Sequence, residues 1–491
     1  LKPVKQLASQ TIIYGLSTIV PRFLNYLLVP LYTRYFAPAE YGVVTEIYAY
    51  VIFLNIVLTY GMETGFFKFS QDAEHGNKVY STILTSIVSS SFLFSLITVV
   101  FSGSISTWLG YPNNPEYVWI FGLIISIDAV CAIPFVKLRK ENKAFRFALI
   151  KISNVVINIL LNICFIILFP KLIKAGVDLP LWLYNPKFGV GYIFVSNLIA
   201  SVVTLLIVSP SISFKEGFDK VLLKKLLAYS LPLLFAGFAG SINEALDRVL
   251  IKHLLPDNVN ALEQLGIYGA NIKIAVVLIL FIQTFRFAAE PFFFNYEKEK
   301  DSKVVLAHIL NYFLVICLII LMVTLANIDI VKYFIGRKYW EGLYIVPMLL
   351  FANVFFGIYV YLSAWYKLSG KTMYGAYIIA IGAGLTILVN VLFVPVYGIM
   401  AAAVGHFVCY FVMSIVCYLW GRKYYPIPYE MSRILKYLGM AVVFAAIVLV
   451  LPIESATIRL ITGNAIMMAF AFLLLKDVGI VKILLDKRFK K

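Results

Sequence analysis

Residues Ile193 to Val208 read IFVSNLIASVVTLLIV, a run without a charge whose apolar side chains fall on every side of a helix. A membrane β-strand would show about ten residues alternating between apolar and polar, so this stretch reads as a helix surrounded by hydrocarbon. Similar stretches recur on both sides of it, each near the roughly 20 residues that a helix needs to cross a bilayer. Before it they cover 8-33, 41-66, 79-108, 115-136 and 145-169, and the run itself extends to 188-209. After it come 224-254, 262-295, 303-326, 340-368, 372-394, 397-420, 432-451 and 457-476. The whole chain of 491 residues is 62% hydrophobic and 14% charged, with a mean hydropathy of +0.90. No water-facing surface can be built from that composition. The expectation is an all-α integral membrane protein of about 14 transmembrane helices.

The net charge of +17 is not gathered on one face. About 28 of the Lys and Arg residues fall at the two ends of the chain and in alternate breaks, near 68-78, 137-146, 215-225, 298-303, 367-371 and 422-436, against about nine in the opposite set. This asymmetry is the positive-inside pattern. It accounts for the charge without nucleic acid and predicts a multi-pass membrane protein with both termini cytoplasmic. The first apolar stretch, interrupted by Arg22, Pro21 and Pro30, is expected to stay in the membrane and not be cleaved. Cys131, Cys164, Cys317, Cys409 and Cys417 lie in apolar segments without CxxC spacing, and the four histidines lack a metal-ligand spacing. The outer loop at 170-187, with Trp182, Tyr184 and two prolines, suits an interfacial loop. Loops this short leave no room for a catalytic domain, so no enzyme, metal or cofactor is expected.

Weak internal parallels connect the two halves. Tyr41-Gly42 corresponds to Tyr268-Gly269, and Glu63-Thr64-Gly65-Phe66-Phe67 resembles Glu290-Pro291-Phe292-Phe293-Phe294. Six segments separate the copies, so they have the same orientation. The expected organisation is a six-helix lobe at 1-220, a second at 221-425, and a helix pair with a basic tail at 426-491.

Ionisable groups at membrane depth cost at least about 2.5 kcal/mol on insertion scales and usually face a bundle interior or a wet path. Thr11, Thr18, Arg22 and Asn25 share one face of the first segment. Ser241, Glu244, Asp247 and Arg248 cluster in the seventh. Gln283, Arg286 and Glu290 share a face of the eighth, with Lys273 nearer its other end. Asp128 is an isolated acid in the fourth segment, with Lys137 or Arg139 as candidate partners. Cations at several depths suit an anionic head group, with the acids as counter-ions, gates or sites for H+ or Na+; a salt-bridged core is the structural alternative. Asn154, Asn158 and Asn162, one turn apart, can bind sugar hydroxyls or join helices.

The segment NEALDRVLI at Asn243–Ile251 followed by Lys252-His253, with LGIYGAN at Leu265–Asn271, resembles the corresponding region of bacterial polysaccharide-export flippases. Pro30-Leu31-Tyr32-Thr33-Arg34, Pro38, Glu40-Tyr41-Gly42 and Gly61 look like the same family's opening region. This O-antigen repeat-unit flippase family shares a superfamily with multidrug extrusion transporters and lipid II flippases. The resemblance implies two six-helix lobes in a V, alternating access, and a polyprenyl-pyrophosphate-linked oligosaccharide as cargo. It implies phosphate recognition by Arg22, Lys273, Arg286 and Arg248 with Asn25 beside them. Asp128, Glu244, Asp247, Glu290 and Glu63 are the candidates for ion coupling or gating. Expected partners are the lipid-linked oligosaccharide, membrane lipid, a polysaccharide polymerase and glycosyltransferases. The acids nearly match the cations, which departs from a uniformly basic cavity. The rivals are a cation-coupled multidrug efflux transporter of the same fold and a membrane oligosaccharide polymerase.

Overall fold

A computed structural model describes residues 19–70, 76–297, 299 and 301–479. Thr11 and Thr18 lie outside the described residues, as does the start of the 8-33 segment. The rest of that segment, α1, is not one continuous helix: residues 19–26 are helical, Leu27–Leu28 form a turn, and Val29–Tyr35 resumes. The interruption falls just before Pro30, whose ring and missing N–H disfavour an unbroken helix.

Among the described residues thirteen further helices are long and apolar enough to span a membrane, which makes this a multi-pass membrane protein. They are α2 (Pro38–Phe69), α3 (Lys78–Val100), α4 (Pro115–Lys140), α5 (Ala144–Lys174), α6 (Gly191–Ser211), α7 (Lys220–Leu254) and α8 (Ala261–Phe294). Then follow α9 (Ser302–Ala326), α10 (Arg337–Leu368), α11 (Met373–Tyr397), α12 (Ile399–Tyr424), α13 (Met431–Val450) and α14 (Ala456–Asp477). All thirteen coincide with segments read from hydropathy. Local chemistry sets their ends. The Glu40 carboxylate accepts from the Ala37 N–H at 2.7 Å ahead of Pro38, and Asn260 accepts from the Glu263 N–H at 3.2 Å. In α5 a π-helical turn at Cys164–Leu168 precedes Pro170, whose ring would clash in a regular α-helix. This carries α5 to Lys174, into what the sequence suggested as loop. In the loop itself Trp182 is exposed, whereas Tyr184 is buried and stacks on Tyr192 with ring centroids 4.9 Å apart.

The chain divides into two compact units, Leu1–Val249 and Leu250–Lys491. In the first, α4 is the hub, packed by α2, α3 and α6, and α5 packs on α6. Phe121 of α4 meets Phe194 of α6 and Tyr48 of α2 edge to face, at 4.5 and 5.6 Å between centroids. Asparagines join the helices. Asn154 donates to Thr204 of α6 at 2.9 Å, and Asn162 accepts from the Tyr32 hydroxyl at 3.1 Å.

Helix α2 breaks at Tyr60–Gly61, and Gly61 begins the sequence GMETG. Its φ is +71°, and a Cβ there would lie 2.7 Å from the Ser230 carbonyl oxygen of α7; a Cβ on Gly65 would lie 2.7 Å from the Ser230 hydroxyl. The two glycines, one helical turn apart, therefore let α2 and α7 touch backbone to backbone, as small residues do at close helix contacts in membranes.

In the second unit α10 packs on α8, α9 and α12, and α9 also carries α13 and α14. At one end of that pair Asn327 and Asn464 exchange amide hydrogen bonds at 2.9 and 3.1 Å, and Arg459 lies 2.8 Å from Asp329. At the other end Asp477 accepts from Lys436 at 2.6 Å and Tyr437 at 2.7 Å. Elsewhere α14 is largely exposed, with Ile458, Ile461, Met468 and Phe472 facing outward.

Candidate functional site

The first unit contains a partly open polar cavity of about 270 Å3. Helical periodicity explains how it forms. Asn197, Ser201 and Thr204 follow at steps of four and three along α6, Asp128, Phe135 and Arg139 occupy one face of α4, and Lys151 and Asn154 one face of α5. Helix α2 contributes Asn55 and Glu63. Because Gly61 and Gly65 turn the opposite face of α2 onto Ser230 of α7, Glu63 is directed to the cavity.

The cavity thus contains two carboxylates and two cations. Ser201 donates to Asp128 Oδ1 at 2.9 Å. Lys151 acts electrostatically on both Asp128 and Glu63, and Arg139 on Glu63. The Lys151 ammonium also sits 4.2 Å from the centroid of Phe135. Arg139, counted from sequence among the loop charges and named with Lys137 as a candidate partner of Asp128, lines the cavity but acts on Glu63, whereas the groups acting on Asp128 are Ser201 of α6 and Lys151 of α5. A polar, charge-balanced cavity of this kind can hold a small cation or hydrated polar group against carboxylate oxygens, with Lys151 as an internal competitor.

Of the sequence candidates, Glu63 and Asp128 are brought together here. In the second unit Arg286 and Glu290 of α8 line a small cleft with Lys367 of α10, whose ammonium lies 2.5 Å from Glu290. Arg22, Asn25, Arg248 and Lys273 line neither cleft. Arg22 and Asn25 are exposed, and Arg248 and Lys273 are half-buried. On α7, Asp247 is buried while Glu244 is exposed, so the two acids face different surroundings, and Arg248 acts on Tyr41 of α2.

Glu46 of α2 was not anticipated. It is fully buried and accepts a hydrogen bond from Tyr111, in the loop between α3 and α4, with Tyr50 as a second hydrogen-bond partner. The only sequence signal was an acid within an apolar run. Five cysteines are free, four of them buried.

A family model described as "Polysaccharide biosynthesis protein" matches residues 7–297, more than half of the chain. The chain belongs to that family. No curated protein matches it. Among solved structures, this family member is similar to "Lipid II flippase MurJ, inward closed conformation", at a TM-score of 0.71 and 14% identity over 95% of this chain and 99% of that one. It is also similar to an inward-facing multidrug resistance MATE family transporter, at a TM-score of 0.58 and 17% identity over 84% of this chain and 94% of the other. A MATE structure "in the straight conformation" gives the same TM-score and identity over 86% and 96%. At these identities the likeness is one of fold: this member of the polysaccharide biosynthesis family has the all-helical fold of flippases and multidrug transporters.

Proposed function

We propose that this protein is a flippase that carries a polyprenyl-pyrophosphate-linked oligosaccharide from the cytoplasmic to the periplasmic leaflet by alternating access. The observation that carries the reading is the set of cations kept within the helices, Arg22, Arg248, Lys273 and Arg286, in a member of a polysaccharide biosynthesis family. Costly charges at membrane depth need a reason, and an anionic head group supplies one. Sugar hydroxyls and phosphates cannot cross hydrocarbon unpartnered, whereas the polyprenyl tail can remain in lipid. Rigid-body rocking of two lobes, at 1-220 and 221-425, with 426-491 as an appended pair, exposes the head-group site to each side in turn. An inside-negative potential assists outward movement by roughly 2.3 kcal/mol per negative charge per 100 mV.

In this reading Arg22, Asn25, Arg248, Lys273 and Arg286 bind the head group. Asp128 and Glu63 form the ion-coupling site, with Lys151 as the counter-charge when the site is empty of ion. Glu290, held by Lys367, together with Glu244 and Asp247, serves gating. The protein works in the bacterial inner membrane with both termini cytoplasmic, beside glycosyltransferases and a polymerase. No bond is made or broken.

The test is a strain lacking the gene. Complete lipid-linked repeat units accumulating on the cytoplasmic side, cleared by the wild-type gene, support the proposal. Normal export together with increased sensitivity to cationic drugs sinks it in favour of efflux, which the carboxylate-containing cavity would also suit.

A further inference from the structure

At the Lys- and Arg-rich end of the second unit, the link from α12 to α13 borders a cavity of about 810 Å3. Arg422, in the last turn of α12, and Arg433, in the first turn of α13, line it. Tyr418 and Tyr429, with ring centroids 6.4 Å apart, form a wall, and Ile427 is buried beneath. Pro426 and Pro428 restrict the linking backbone. The one acid in the lining, Glu430, is paired: Arg433 lies 2.5 Å from it and also 3.4 Å from Asp477, whose other partner is Lys436 at 2.6 Å. Arg422 is exposed and enters no ion pair among the described residues. The lining therefore keeps the positive charge of Arg422 uncompensated among the described residues.

Its surroundings have the residue chemistry of a membrane interface. Lys303 lies over the ring of Tyr425 at 4.6 Å, and Lys371 over Tyr424 at 4.3 Å, so this end carries the aromatic and basic belt of a membrane interface. Below the cavity, Ile415 and Leu419 of α12 and Leu435 of α13 are exposed hydrocarbon. A ligand placing an anion between the arginines would lay an apolar tail on these three side chains. A soluble phosphate would leave them to bulk lipid.

We propose that this cavity binds the phosphate group of an anionic lipid in the adjacent leaflet. Basic pockets between helices at this face are suited to such head groups, and the size, well beyond a single ion, fits a phosphate with its linked alcohol or sugar. The lipid is either a bulk anionic phospholipid or a polyprenyl phosphate. Only the second source rests on the flippase reading.

The test is native mass spectrometry of the full-length protein offered phosphatidylglycerol, a polyprenyl phosphate, or phosphatidylcholine as the control without net charge. The wild type should retain the anionic lipids over the control. Arg422→Gln should lower that retention about fivefold, the equivalent of ~1 kcal/mol per basic residue near an anionic surface, and Arg422→Lys should restore most of it. Loss for both lipids assigns a general anionic-lipid site, and loss for polyprenyl phosphate alone assigns a substrate-capture site. Both support the proposal. Equal retention of both anionic lipids by wild type and Arg422→Gln, with unchanged thermal unfolding, overturns it, while leaving the flippase proposal standing.

Discussion

Substituting the two glycines of GMETG should give opposite genetic behaviour, although both approach the same serine. At Gly61 an added Cβ meets the Ser230 carbonyl oxygen at 2.7 Å, and the backbone φ is +71°. A left-handed non-glycine residue costs roughly 1–2 kcal/mol, and overpacking against a backbone atom that cannot rotate away adds about 1–3 kcal/mol. Gly61→Ala should therefore destabilise by about 2–5 kcal/mol. At Gly65 the obstruction is the Ser230 hydroxyl, also 2.7 Å away, on a buried side chain whose oxygen has no hydrogen-bond partner among the described residues. Gly65→Ala should cost no more than about 1–3 kcal/mol, and Ser230→Ala should remove most of that. Thermal unfolding of the purified protein in detergent, analysed as two double-mutant cycles, reads the difference. The Gly65/Ser230 cycle should show coupling above about 1 kcal/mol, and the Gly61/Ser230 cycle should be additive within about 0.5 kcal/mol. Rescue of Gly61→Ala by Ser230→Ala, or failure of Ser230→Ala to rescue Gly65→Ala, would refute the contact that directs Glu63 to the polar cavity.

Asp128→Asn should abolish the response of transport to an imposed proton or sodium gradient at unchanged protein level; transport by the variant that still follows the gradient would remove Asp128 from coupling. Tyr111→Phe takes a hydrogen bond from the buried Glu46 and should lower stability by about 1–3 kcal/mol, seen as earlier thermal unfolding. The partly exposed Glu290–Lys367 pair should show a coupling of only about 0.2–1 kcal/mol in a Glu290→Gln, Lys367→Met cycle. A coupling several times larger would mean the pair is dry and structural.

Hydropathy was sufficient for the helices because a span needs unbroken apolar length, and runs such as Ile193–Val208 admit one interpretation. It could not reveal the turn at Leu27–Leu28, which falls within an apolar Leu-Leu-Val run with Pro30 as the nearest mark. The acids of the polar cavity, Glu63 and Asp128, stood out as ionisable groups in apolar segments. Their surroundings did not. Ser201 is 73 residues from Asp128, and Tyr111 is 65 residues from Glu46, distances over which no helical period carries information. Arg139 was counted with the loop charges because it sits in the last turn of α4, yet its long side chain can reach back towards the cavity. The asparagines of α5 were open to two readings, and Asn154 and Asn162 bond to neighbouring segments.

The most direct measurement is translocation by the purified protein in liposomes. A fluorescent polyprenyl-pyrophosphate-linked oligosaccharide is placed in both leaflets, and an impermeant quencher reports the outer one. Wild-type protein should make nearly all of the label accessible within the time that protein-free liposomes expose only the outer half, and Arg22→Ala or Arg286→Ala should slow it markedly. Label that stays half-protected with wild-type protein, under a membrane potential and under proton or sodium gradients, would contradict the flippase account.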